Sequence, residues 1–144
     1  MNEYQQYDLA YEIAKKAHEG QTRRDGITLY INHVYKVQDN VRARNYHKVI
    51  FLDETVAALH DTVEDTEITL QYLRDMGFSD IVVDAVDALT HRDGETYEES
   101  ILRAKANPIA RKVKIADNLA NLSDSPTDKQ ILKYSKSLQV LLAD

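Results

Sequence analysis

Apolar residues recur at intervals of three and four along most of the chain, the period of one face of a helix. Tyr7, Ala10, Tyr11, Ala14 and Ala17 form such a face between about Glu3 and Glu19, with Gly20 placed to end the helix. A polar loop follows from Gln21 to Thr28 and carries Arg23, Arg24 and Gly26. The spacing then predicts helices over Ile31–Ala43 and about Lys48–Val63, and the Ala57-Ala-Leu59 stretch marks the second of these for burial at the centre. Thr69 caps a short helix that runs through Asp75 and stops at Gly77, and Ser79 caps another that ends near Thr90. His91-Arg-Asp-Gly94 reads as a turn. Thr96–Ala106 reads as a charged, mostly exposed helix, and Pro108 suits the first turn of a helix through Leu122. Ser125-Pro-Thr127 interrupts the pattern before a last helix, Asp128–Leu142, with Ile131, Tyr134, Leu138 and Leu141 on one side. Strand patterns are weak throughout. The expected architecture is an all-α bundle of about seven or eight helices, in one domain spanning residues 1–144.

Composition agrees with that reading. Only four glycines and two prolines punctuate 144 residues, which favours long helices over a meander of short strands. The absence of cysteine excludes disulfides, thiolate metal sites and cysteine nucleophiles. No run approaches the ~20 apolar residues that span a membrane, and Met1–Asp8 is polar with no leader pattern. The expectation is a soluble, cytoplasmic protein with no membrane partner. A net charge of −6 argues against a nucleic acid polymer as partner. It leaves room for a small anionic substrate, because a metal ion and a few cations can reverse the potential inside one cleft. Exposed apolar positions on the last helix leave the oligomeric state open.

Three groups of residues carry candidate chemistry. His60-Asp61 closes an apolar helical run, and burying either side chain without a partner would cost ~1–3 kcal/mol or more. A metal ion satisfies both at once, and imidazole with carboxylate suits Zn, Mn or Fe. Glu64 and Asp65 follow four residues after His60 and Asp61, so on a continuing helix they occupy the same faces one turn on. Negative charge there opposes the helix dipole, so the pair reads either as a solvated acidic helix end or as a sign of a cation nearby or a functional reason. The second group is Lys114-Ile-Ala-Asp117-Asn-Leu-Ala-Asn121, which sets Lys114, Asp117 and Asn121 near one face of an otherwise apolar helix. The third is Tyr30-Ile-Asn-His33, just after the arginine-containing loop. His18, His47 and His91 have no such company and read as structural.

In this order, the three groups resemble the HD superfamily of metal-dependent phosphohydrolases, and within it the (p)ppGpp hydrolase domain of RelA/SpoT proteins and small stand-alone alarmone hydrolases. The most specific string is Ala57-Ala-Leu-His-Asp-Thr-Val-Glu-Asp-Thr66. Ala17-His-Glu-Gly-Gln21, Tyr30-Ile-Asn-His33, Ala88-Leu-Thr90 and Lys114-Ile-Ala-Asp117 also match, so the likeness runs from about Tyr7 to Leu122. The resemblance implies that His33, His60, Asp61 and Asp117 hold the metal, Mn2+ in the usual case with other divalent ions possible. It implies that Glu64 and Asp65 position or activate the attacking water. Asn121, with Lys114 near it, would belong to a nucleotide pocket, and either Arg23 or Arg24 would approach the base. The implied reaction removes the 3′-pyrophosphate of (p)ppGpp to give GDP or GTP and pyrophosphate.

The sequence departs from that pattern in three places. Gly26-Ile-Thr-Leu-Tyr30 is one residue longer than the family's loop and lacks its proline. Val34 replaces the usual proline after the first histidine, and Ser123 stands where an arginine is usual. Losing a cation beside a polyphosphate weakens its binding, so two further readings stand beside the first. One is an HD phosphohydrolase acting on another nucleotide or phosphate ester. The other is a non-catalytic nucleotide-sensing module, for which Glu64-Asp65 would serve no purpose. No match to an alarmone synthetase domain is present, and synthesis is not expected.

Overall fold

The computed structural model describes residues 1–144 and contains nine helices. They are α1 Glu3–Ala17, α2 Tyr30–Arg44, α3 Phe51–Leu59, α4 Thr62–Asp65, α5 Leu70–Asp75, α6 Asp80–Leu89, α7 Tyr97–Ala106, α8 Pro108–Leu122 and α9 Asp128–Leu142. The only β pairing is one isolated antiparallel bridge, Thr22 to Leu29, which closes the loop between α1 and α2. No helix is long and apolar enough to cross a membrane.

Most helix starts follow local capping chemistry. The side chains of Thr69, Ser79, Thr96 and Asn107 each accept a backbone N–H at the start of α5, α6, α7 and α8. Asn2 with Gln5, and Thr127 with Gln130, form reciprocal capping boxes on α1 and α9.

The helix expected over Lys48–Val63 is two helices, which raises the number to nine. It starts late because Tyr46 and His47 take left-handed backbone angles, φ 57° and 61°, and reverse the chain after α2. It stops early because two side chains bond back to carbonyls near its end. His60 Nδ1 lies 2.7 Å from the Ala57 carbonyl, and Thr62 Oγ1 donates to the Leu59 carbonyl at 2.9 Å. Both carbonyls belong to the last turn, where the helix has no N–H to offer them. The chain kinks at Asp61 and resumes as α4, with Asp65 N donating to Asp61 O at 3.0 Å. Glu64 and Asp65 therefore sit on a separate turn, and the expected conflict with a long helix's dipole does not arise.

α3 lies at the centre, with every residue from Asp53 to Leu59 buried. It packs against α1, α2, α6 and α8, and its Val56, Ala57, Ala58 and Leu59 join one core with Ala10, Val37, Val83, Val113 and Ala116. Glu54 is fully buried in that core, yet its carboxylate accepts from Gln38 Nε2 at 2.9 Å and from Arg42 Nη2 at 2.5 Å. That pairing is what makes a charge tolerable there. A smaller core of Ile101, Ile115 and Leu141 ties α7, α8 and α9 together. α7 is thus anchored through Ile101 and Ala104 rather than lying mostly exposed. The two cores leave a cleft lined from α2, α4, α7, α8 and α9, from His60 and Asp61 between α3 and α4, from Arg23, and from the segment Leu89–Asp93.

Candidate metal centre

α2 brings His33, the end of α3 brings His60, and α8 brings Asp117 to one buried point. One donor atom of each lies within 4.8 Å of the others. His33 Nε2 is 2.9 Å from Asp117 Oδ1. The Ala57 carbonyl can only accept, so His60 Nδ1 carries a hydrogen and donates to it. His60 Nε2 then faces Asp61 Oδ2 at 2.9 Å and Asp117 Oδ1 at 3.6 Å. It is buried, and neither carboxylate meets it with the alignment of a hydrogen bond.

A neutral imidazole would direct a lone pair at two carboxylates, so this arrangement calls for a cation. Burial pushes the His60 imidazole down, but Asp61 and Asp117 outweigh it and hold it well above the ordinary histidine value. Burial likewise pushes Asp117 up, and Lys114 and the two histidines overcome this and hold it well below the ordinary carboxylate value. Two imidazoles and nearby carboxylate oxygens form a donor set that a divalent first-row ion fits.

Around this point, Asp61 also accepts a hydrogen bond from the Tyr30 hydroxyl. Its carboxylate groups with those of Glu64 and Asp65, one oxygen of each lying within 4.8 Å of the others. Glu64 Oε1 accepts from the His91 backbone N–H at 2.8 Å. Partial burial and then repulsion from Asp61 and Glu64 raise the Asp65 carboxyl to about 6. Lys114 Nζ is 3.2 Å from Asp117 Oδ2, and Asn121 Nδ2 donates to Asp117 Oδ1 at 3.3 Å. The cleft above measures about 780 Å³, the size of a small-molecule site.

No family model matches the chain. It is 35% identical to the probable GTP pyrophosphokinase of Mycobacterium leprae (strain TN), over 92% of this chain and 18% of that protein. It is 30% identical to the guanosine-3′,5′-bis(diphosphate) 3′-pyrophosphohydrolase of Aquifex aeolicus (strain VF5), over 78% of this chain and 17% of that protein. The chain thus spans about a sixth of the length of these relatives. In three dimensions it matches a metazoan ortholog of SpoT that hydrolyzes ppGpp and plays a role in starvation responses. That match has a TM-score of 0.78 and 25% identity, and covers 95% of this chain and 85% of the other. The chain is an HD domain of the RelA/SpoT type.

In this HD domain the residues singled out from the sequence converge, with one exception. His33, His60, Asp61, Glu64, Asp65, Lys114, Asp117 and Asn121 all line the cleft, and so does Arg23. Arg23 donates from Nε to Asp124 at 3.0 Å and from Nη2 to Asn121 Oδ1 at 2.8 Å, and lies 5.6 Å from the Tyr30 ring centre. Arg24 does not line it; its guanidinium turns to the Asp124 backbone carbonyl. Asp25 holds the loop that makes this choice, accepting from Ile27 N and Thr28 N, each at 2.8 Å.

Two histidines read as structural lie beside this site, one lining the cleft and one packed on Tyr30 behind it. His91 lines the cleft and holds Glu64 through its backbone. His18 is 3% exposed, with its ring centre 4.6 Å from that of Tyr30. Sequence reasoning also passed over Tyr97 and Lys133 as cleft residues, and read Tyr134 as apolar packing; nothing in their spacing marks them. Gln21, within the Ala17-His-Glu-Gly-Gln21 match, was the available signal for His18, because the two side chains bond at 2.8 Å.

Proposed function

We propose that this HD domain is a metal-dependent hydrolase that removes the 3′-pyrophosphate of guanosine tetra- or pentaphosphate. The reading is carried by one observation: the orphaned His60 Nε2, set between Asp61 and Asp117 beside the Glu64–Asp65 turn. The Aquifex aeolicus relative bears the name of this activity, and the metazoan structure is described as hydrolyzing ppGpp.

His33, His60, Asp61 and Asp117 would hold the ion, with Mn2+ as the proposed occupant. When bound, such an ion lowers the pKa of water and neutralises charge on a phosphate oxygen. Asp65, at about 6, can accept a proton near neutral pH. Glu64 is restrained by the His91 N–H, which fixes the carboxylate beside it. Water oxygen bonds to the phosphorus attached to O3′, the P–O3′ bond breaks, and O3′ leaves with a proton as the ribose hydroxyl. Pyrophosphate and GDP or GTP account for all atoms. Arg23, Lys114 and Asn121 line the cleft where the nucleotide would lie. Lys114 carries positive charge to the rim of the anionic centre.

The reading is tested by supplying ppGpp and Mn2+ to the purified protein and following GDP and pyrophosphate. A second reading, hydrolysis of another nucleotide or phosphate ester, is favoured by Ser123. Its hydroxyl donates back to the Ala120 carbonyl at 2.8 Å and offers the cleft no cation. Turnover of another nucleotide, with none of ppGpp, would select it.

A further inference from the structure

α6 ends at Leu89, and two arginines take the carbonyls at and beyond its last turn. Arg92 Nη1 donates to Asp87 O and to Thr90 O, each at 2.6 Å. Arg103, on α7, donates from Nε to Ala88 O at 3.2 Å and from Nη2 to Thr90 O at 2.7 Å. Its Nη1 is paired with Glu95, whose carboxylate also accepts from Arg92 N at 3.1 Å. Helix capping accounts for the bonds to Asp87 and Ala88. Thr90 is different: it is the first residue past α6 and has an extended backbone, φ −90° and ψ 124°. Both guanidinium groups converge on its carbonyl. The N–H of that same peptide unit belongs to His91, and it donates to Glu64 Oε1 at 2.8 Å. Glu64 is exposed, and this is the one hydrogen bond its carboxylate makes within the protein.

We propose that Arg103, assisted by Arg92, is a positioning residue for Glu64 and acts on it through the Thr90–His91 peptide. The use made of Glu64 rests on the hydrolase reading above. The peptide is trans and planar, so its C=O and N–H point in opposite directions. Fixing the oxygen therefore fixes the direction of the N–H. Two cations at the oxygen also polarise the amide, which makes the N–H a stronger donor to the carboxylate on the far side. Arg103 is itself set in one plane by three acceptors: the Ala88 carbonyl, the Thr90 carbonyl and the Glu95 carboxylate. Its neighbours Ile101 and Ala104 are buried and anchor α7 on either side of it. Neither Arg103 nor Arg92 lines the cleft, so each acts on a substrate only through this chain of contacts.

The test reads the His91 amide by NMR on the full chain, with Mg2+ in place of paramagnetic Mn2+. In wild type its proton is expected downfield and slow to exchange with solvent. Glu64→Gln, which removes the charge of the acceptor, should move it upfield. Arg103→Gln should move it in the same direction and speed its exchange at least about tenfold, while amides in the middle of α3 and α8 keep their protection. Arg92→Gln changes a half-exposed side chain, should fold normally, and should give the same shift in smaller measure. With ppGpp and Mn2+, Arg103→Gln should lower kcat about tenfold and leave KM within about twofold. Arg103→Lys keeps the charge without the planar fork and should recover only part of the rate. An unaltered His91 proton in both arginine variants would overturn the proposal, and if Arg103→Gln does not fold, Arg92→Gln decides. Unaltered kcat in Arg103→Gln, or protection lost evenly along α6 and α7, would reduce Arg103 to a helix cap and overturn it too. If wild type leaves ppGpp intact, the hydrolase reading fails, and the His91 amide alone decides whether Arg103 sets Glu64.

Discussion

Gln21 bonds to Asp65 across the end of α1: its Nε2 donates to the Asp65 carbonyl at 3.1 Å. Its Oε1 accepts from His18 Nδ1 at 2.8 Å, which sets the amide in a single orientation. The turn carrying Glu64 and Asp65 is thus braced from outside the metal centre, by a residue that does not line the cleft.

Gln21→Ala removes both bonds and leaves the buried His18 without a partner at Nδ1. At about 1 kcal/mol per bond, the loss of stability is expected to be about 1–2 kcal/mol in urea unfolding. If the brace positions Glu64 and Asp65, kcat falls several-fold while KM changes little. A variant with reduced stability and unaltered kcat would limit the brace to a structural part.

Divalent ions should stabilise the fold, because His33, His60 and Asp117 bring three buried donor atoms within 4.8 Å of one another, an arrangement that an ion binds and the unfolded chain lacks. Mn2+ in large excess is expected to raise the Tm on the order of 5 °C. His60→Ala should abolish that rise. The shift should also grow with pH. The folded pKa of His60 is raised, so its ion-pair stabilisation is present below the ordinary histidine value and is lost as pH rises through the folded one. The ion must expel that proton, so acid opposes its binding. A Tm shift of the same size at about pH 6 and about pH 8 would contradict the assigned protonation.

The loop that presents Arg23 has its own titration. The Asp25 carboxylate accepts from the Thr28 hydroxyl at 2.5 Å and from two backbone N–H groups, which lowers its pKa to about 2. A depressed carboxyl stabilises the folded loop above its unfolded value and loses that contribution as pH falls toward about 2. NMR titration of Asp25 should give a midpoint near about 2, and Thr28→Val should move it upward. An unchanged midpoint in Thr28→Val would remove the hydroxyl as the main cause.

Much of this architecture was legible before the coordinates, because helix starts depend on neighbours in sequence. Thr69, Ser79 and Pro108 begin helices where their own chemistry places them. The convergence of His33, His60 and Asp117 was implied by a family pattern rather than by spacing, since the three come from separate helices. The break after Leu59 was not legible: it depends on His60 and Thr62 bonding backward, where an apolar run reads as continuous. Nor was the choice of Arg23 over Arg24: both bond Asp124, and Arg23 alone reaches Asn121, 98 residues further along the chain. Lys133 looked like any solvated lysine until α9 docked beside Tyr97.

The most direct measurement is ppGpp hydrolysis by the purified, Mn2+-loaded chain, following GDP and pyrophosphate together, with His60→Ala and Glu64→Ala alongside. The account predicts equimolar GDP and pyrophosphate from wild type, and a loss of at least about a hundredfold in each variant. Metal-loaded wild type that leaves ppGpp intact, or variants as active as wild type, would contradict it.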